Sequence, residues 1–166
     1  MKAFSKATSG NSVLEFTLSS IPLIFIILSS LQMSVAMWNY HTLNETVNIT
    51  TRVVALRGAD CASAGCSMTV GGITTMVANK GIGLVPASLN VSLTDATGSI
   101  TCHPVTTCES STTVFPRSGG NSVGQVVAIS ASYPFNSAIA MFVPGVGAQT
   151  FDSLTFTAIS QQVIYY

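Results

Sequence analysis

The pattern of apolar and polar positions divides this chain into three regimes. Between positions 16 and 44 there is no Asp, Glu, Lys or Arg, and the densest part, 21–37, holds Leu23, Ile24, Phe25, Ile26, Ile27, Leu28 and Leu31. About 20 helical residues at 1.5 Å each cross the hydrocarbon core of a bilayer, so the run predicts a membrane-spanning helix over about 17–37. Trp38 and Tyr40 follow at its far end, where amphipathic rings settle among headgroups. Pro22 lacks a backbone donor and crowds the carbonyl four residues back, which predicts a kink. Ser19 and Ser20 are placed to satisfy the freed backbone groups.

Beyond the apolar run the period becomes that of one helix face. Tyr40, Leu43, Val47, Thr51 and Val54 recur at spacings of three or four, a single amphipathic stripe. The helix is therefore expected to leave the membrane as a stalk with one face to cover, a single element over 11–57. Gly58-Ala59-Asp60 ends it, with Gly available for a left-handed cap. A second helix is expected over 67–80, weakened by Gly71-Gly72 and its threonines and closed by Gly81 and Gly83.

The period then changes to two. Leu89, Val91 and Leu93 alternate with polar residues, as do Val127, Ile129, Ala131 and Tyr133, and then Leu154, Phe156 and Ala158. Each reads as a half-buried strand, the second stopped by Pro134. The expected fold is α+β: a transmembrane helix, its stalk, a short helix and a small antiparallel sheet, with 58–166 as the exported domain. Phe135, Ile139, Met141, Phe142 and Val143 form an apolar patch between the second and third strands, either covering the core or meeting a partner.

Composition sharpens this picture. Charged residues are 7% of the 166 and hydrophobic ones 48%, far from the quarter charged that a freely soluble domain carries. A formal net charge of zero removes the electrostatic basis for nucleic-acid binding. Lys2 and Lys6 precede Gly10, and the chain after it carries −2, with four of the six basic residues and all six acidic ones. Counting positive charges gives a weak preference for a cytoplasmic N-terminus, because Arg52 and Arg57 lie beyond the span. The four cysteines, Cys61, Cys66, Cys102 and Cys108, all follow the apolar run. An even count behind an export segment points to two disulfides on an oxidising side, three pairings being open and the two local loops favoured by proximity. Zinc competes poorly, since the Cys102/Cys108 spacing is too wide for a zinc knuckle.

Candidate chemistry is thin. Gly120-Asn121-Ser122-Val123-Gly124 matches the nucleophile-elbow pattern, but that elbow needs a strand before it, a helix after it and a later histidine. Both histidines, His41 and His103, precede Ser122. No phosphate-binding glycine loop, metal-binding helix pair or close acid pair is present, so neither enzyme activity, a cofactor nor a metal site is expected. Asn44-Glu45-Thr46, Asn48-Ile49-Thr50 and Asn90-Val91-Ser92 fit the N-glycosylation pattern, which matters only in a source that glycosylates exported proteins.

Glu15 carries the most information. A carboxylate at the head of a membrane-length run is costly and wants a partner, and Gly10 lies five residues before it, in Gly10-Asn11-Ser12-Val13-Leu14-Glu15-Phe16. A cleaved signal peptide is the alternative, with Ser34-Val35-Ala36 as its small-x-small site. Against it, Glu15 sits directly before the apolar core, and the helical pattern runs through the supposed cut. The basic leader, Gly10, Glu15-Phe16, Pro22, the apolar helix with Trp38 and the amphipathic continuation to Arg57-Gly58 together resemble the TadE-like family, minor pseudopilins of tight-adherence pili. The strand Val126-Val127-Ala128-Ile129 leading into Tyr133-Pro134-Phe135 adds a general likeness.

The resemblance implies a leader over 1–10 and a cut between Gly10 and Asn11 by a prepilin peptidase. It expects Gly10 in extended backbone ahead of the helix, and Glu15 paired with the new amine of Asn11. The partners it implies are a second pseudopilin, the major pilus subunit and an inner-membrane assembly platform, with the C-terminal domain outside the cytoplasm. The other readings are a generic single-span membrane protein, or a signal-peptide-exported protein, bearing a small extracytoplasmic binding module.

Overall fold

A single helix, α1, runs from Ser9 to Leu56. The computed structural model describes residues 9–57, 68–136, 141–143, 147–149 and 154–165. The chain divides into two compact units between Ala36 and Met37.

In the first unit α1 is apolar all round. Leu14, Phe16, Leu18, Leu23, Ile24, Ile26, Ile27, Leu31 and Met33 are all exposed, and the helix is long and apolar enough to cross a membrane. Its hydroxyls turn back onto carbonyls of the preceding turn: Thr17 onto Val13, Ser30 onto Ile27, Ser34 onto Ser30. That arrangement spares a polar O–H from facing lipid. Pro22 lies inside the helix, and its ring frees the carbonyl of Leu18. Ser19 and Ser20 do not take the role expected of them. Ser19 donates to Glu15 and Phe16, and Ser20 to Thr17. A serine hydroxyl reaches back three or four residues, so neither extends to position 18.

The second unit is an α+β domain. Leu43, Val47, Thr51 and Val54 are all buried, as the stripe requires, with Thr46, Thr50 and Ala55 beside them. The buried threonines donate to carbonyls one turn back, Thr50 to Thr46 at 2.7 Å and Thr51 to Val47 at 2.7 Å, so each hydroxyl enters the core already satisfied. Tyr40 remains exposed but rests edge-on against Phe156, ring centroids 5.8 Å apart.

The second helix, α2, spans Val70–Lys80, starting later than the pattern suggested because Thr69 caps it. Thr69 Oγ1 accepts from the Gly72 amide at 3.1 Å, while the amides of Val70 and Gly71 donate to the carbonyls of Thr113 and Ser111. The N–H groups that a helix start leaves unpaired are thus taken up by one cap and one neighbouring segment. Gly71 also permits this contact. A Cβ there would overlap the Glu109 carbonyl oxygen and stand 2.7 Å from that of Ser111.

Among the described residues six strands follow: β1 (Asn90–Asp95), β2 (Gly98–Cys102), β3 (Val126–Phe135), β4 (Met141–Val143), β5 (Gly147–Gln149) and β6 (Leu154–Val163). The main sheet has the order β2-β1-β3-β6 and is antiparallel throughout, while β4 and β5 form a separate two-stranded pair. Pro134 does not stop β3; it pairs with Thr155 in an unbroken ladder to β6. The pairing of β3 with β1 ends at Ser132, so Pro134 has a strand on one side only, where a residue without N–H is tolerated. One face of the sheet is buried through Val91, Leu93, Val127, Ile129, Ala131 and Ala158, and it shares a core with Leu43 and Val47 of α1 and Ile73 and Val77 of α2. Of the apolar patch, Met141, Phe142 and Val143 form β4, and Ile139 lies outside the described residues.

Candidate functional site

Ser9, Gly10 and Asn11 belong to the first turn of α1. The extended backbone expected at Gly10 is therefore helical in this chain. A first turn is the cheapest part of a helix to open, since its amides have no partner four residues back and glycine favours the helix by about 1 kcal/mol less than alanine. Glu15 and Phe16 are exposed on the same helix, and among the described residues the Glu15 carboxylate meets no cation. Asn11 and Glu15 are four residues apart, one turn, so they share a face of α1.

Cys102 and Cys108 are joined by a disulfide, their Cα atoms 5.7 Å apart. It ties the end of β2 to a 3-10 turn, Val105–Cys108. Cys61 and Cys66 lie outside the described residues, as do the leader 1–8 and the expected helix end at Gly58-Ala59-Asp60. Among the described residues no three His, Cys, Asp or Glu side chains cluster closely enough to hold a metal ion. Ser122 of the elbow-like motif is exposed in a loop whose Gly124 amide donates to the Ile164 carbonyl, and β3 rather than a helix comes after it.

Two arrangements escaped the sequence pattern. The first is an ion pair. Arg117 donates to both oxygens of Asp95, from Nε at 3.0 Å and Nη2 at 2.8 Å, and Thr97 adds its amide and hydroxyl. Burial pushes the Asp95 carboxyl up, but the hydrogen bonds from Arg117 and Thr97 outweigh it and hold the group well below the usual carboxylate range. Gly120 packs against this carboxylate, where a Cβ would stand 3.0 Å from its Cγ. The pair clips the β1–β2 turn to the segment that leads into β3.

The second is an open groove of about 620 Å³ within the domain, lined by Trp38, His41, Glu45 and Ile49 of α1, Lys80 at the end of α2, and Ile82 just after it. The turn after α2 closes on α1 through Gly83, whose φ of +90° suits glycine and whose Cβ position lies 3.5 Å from Trp38 Nε1. The only signals in the sequence were Trp38 at the end of the apolar run and the glycines that end α2. No family model matches the chain, and no curated protein or solved structure matches it either.

Proposed function

We propose that this protein is a membrane-anchored minor pseudopilin of the TadE-like kind, acting without a cofactor in the assembly of tight-adherence pili. In this reading the leader faces the cytoplasm and the α+β domain lies on the outer side of a bacterial inner membrane. The observation that carries it is the placement of Gly10, Asn11 and Glu15 on one helix that then runs unbroken through an apolar span into a domain-bearing stalk. Cleavage after Gly10 removes Lys2 and Lys6 and creates an amine one helical turn from Glu15. Opposite charges at about 4 Å attract by about 1 kcal/mol in water and several-fold more where the effective dielectric is lower. The gain is greatest when the amine belongs to a neighbouring subunit, because both groups then leave water together. Glu15 in this scheme serves docking with the second pseudopilin or the pilus subunit on the assembly platform. The long helix and the four-stranded antiparallel sheet form an α+β layout, which is compatible with this reading.

The N-terminal sequence of the protein recovered from membranes tests this reading. Asn11 is the expected first residue, and Gly10→Val should leave the precursor uncut. A start at Met37 would identify a signal peptide, and one at Met1 an uncleaved single-span protein.

A further inference from the structure

We propose that the groove between Trp38 and Lys80 holds the headgroup of a phospholipid bearing a phosphate and a primary ammonium. The inference rests on the apolar half of α1 spanning a membrane, not on the pilus assignment. Three observations lead to it.

The groove is lined by Trp38, the residue that follows the densest apolar part of α1, where an amphipathic ring suits the depth of lipid headgroups. Its apolar rim is turned outward: Trp38 is 61% exposed and Ile82 is 70% exposed. A large exposed aliphatic side chain beside an interfacial tryptophan is costly in water and suited to the acyl boundary.

The groove also carries one charge of each sign. Glu45 and Lys80 both line it, and neither forms an ion pair among the described residues, where the pair that exists is Asp95–Arg117. A zwitterionic headgroup matches this set in sign. Lys80, a compact cation with three donors, suits the phosphate. The Glu45 carboxylate accepts hydrogen bonds, which a primary ammonium donates and a quaternary one cannot. An anionic headgroup without an amine would leave Glu45 facing phosphate.

The chain has one tryptophan, so its fluorescence reports on this groove alone. Full-length protein in neutral detergent is titrated with short-chain phosphatidylethanolamine, phosphatidylcholine and, as a headgroup without tails, glycerophosphoethanolamine. A saturable change in Trp38 emission is expected with the ethanolamine lipid, at least about tenfold tighter than with the choline lipid, the factor that one charge-assisted hydrogen bond supplies. Glu45→Gln should erase that preference, and Lys80→Gln should weaken both lipids. Equal affinity for the two lipids would overturn the proposal. So would an unchanged preference in Glu45→Gln with a normal unfolding transition. Binding of glycerophosphoethanolamine as tight as that of the lipid would point to a free metabolite and would equally overturn it. Failure of the span itself would show separately, as release of the protein from membranes by alkaline carbonate.

Discussion

The two halves of α1 are both helical and poor in charge, yet they answer to different surroundings. In the first half most of the large apolar side chains are exposed, Leu14, Leu18, Ile21, Leu23, Ile24, Ile26, Ile27 and Leu31 among them, while Phe25 and Leu28 are half-buried. In the second half the buried residues are Asn39, Leu43, Thr46, Val47, Thr50, Thr51, Val54 and Ala55, with Glu45, Asn48 and Arg52 exposed between them. The first pattern suits a solvent that is apolar on all sides, the second a core on one side and water on the other. Composition therefore diagnoses the first half, and periodicity the second.

The sharpest way to break this contrast is to place one carboxylate in each half. Val47→Asp buries an unpaired charge and should cost more than about 4 kcal/mol, most of the stability of a domain at the low end of the usual range of roughly 5–15 kcal/mol. Ile27→Asp should leave the domain folded and instead oppose insertion, by roughly 2.5–3.5 kcal/mol on insertion scales. Protease resistance of 37–166 and carbonate extraction separate the two effects. If Val47→Asp leaves the domain resistant, the stripe is not its core.

Reduction sharpens the comparison from the other side. The Cys102–Cys108 link closes a short loop wholly inside the domain, and its removal should destabilise the domain by about 2 kcal/mol while membrane extraction stays unchanged. Denaturant unfolding of Cys102→Ser/Cys108→Ser beside the oxidised parent chain checks this; coincident curves would show that the loop is held by its packing alone.

The smallest effect is acid sensitivity. Because the Asp95 carboxyl is held below its unfolded value, its contribution is fully present at neutral pH. It is lost as the pH falls below about 4, the ordinary carboxylate range, toward the lower folded value. The Arg117 side chain is 30% exposed, so solvent screening keeps this contribution modest. Thermal transitions followed from pH 6 to pH 3 should fall less steeply in Asp95→Asn than in the parent chain. An identical slope would assign the acid response to other carboxylates.

Much of this architecture is written in local periodicity. The stripe through Leu43 and Val47 and the alternation in β1, β3 and β6 depend on which face of one element is covered, and that is a repeat along the chain. The misses have other causes. β2 carries Ile100 as its one clear apolar residue, and it becomes a strand because β1 lies beside it and Cys102 is tethered. Pro134 stays in a strand because of where β1 ends, which no reading of β3 alone contains. Gly71 reads as a helix breaker until the carbonyls of Glu109 and Ser111 are seen above it. The Asp95–Arg117 clip and the Trp38–Lys80 groove join distant positions and leave no repeat. At the N-terminus the reverse holds: Gly10 and Glu15 are legible as a motif, and the fold adds only that they share a helix.

The unbroken ladder between β3 and β6 has a consequence for how this chain can change over time. The two strands hold one register over ten consecutive pairs, so their alignment is set by cross-strand partners and not by the connection 136–153. Closing a longer connection costs only about 0.6 kcal/mol for each doubling of its length. Substitutions, insertions and exchanges there are therefore nearly free for the sheet, while those in α1 are not. The register of the sheet and the length of that connection are therefore separate variables in this chain.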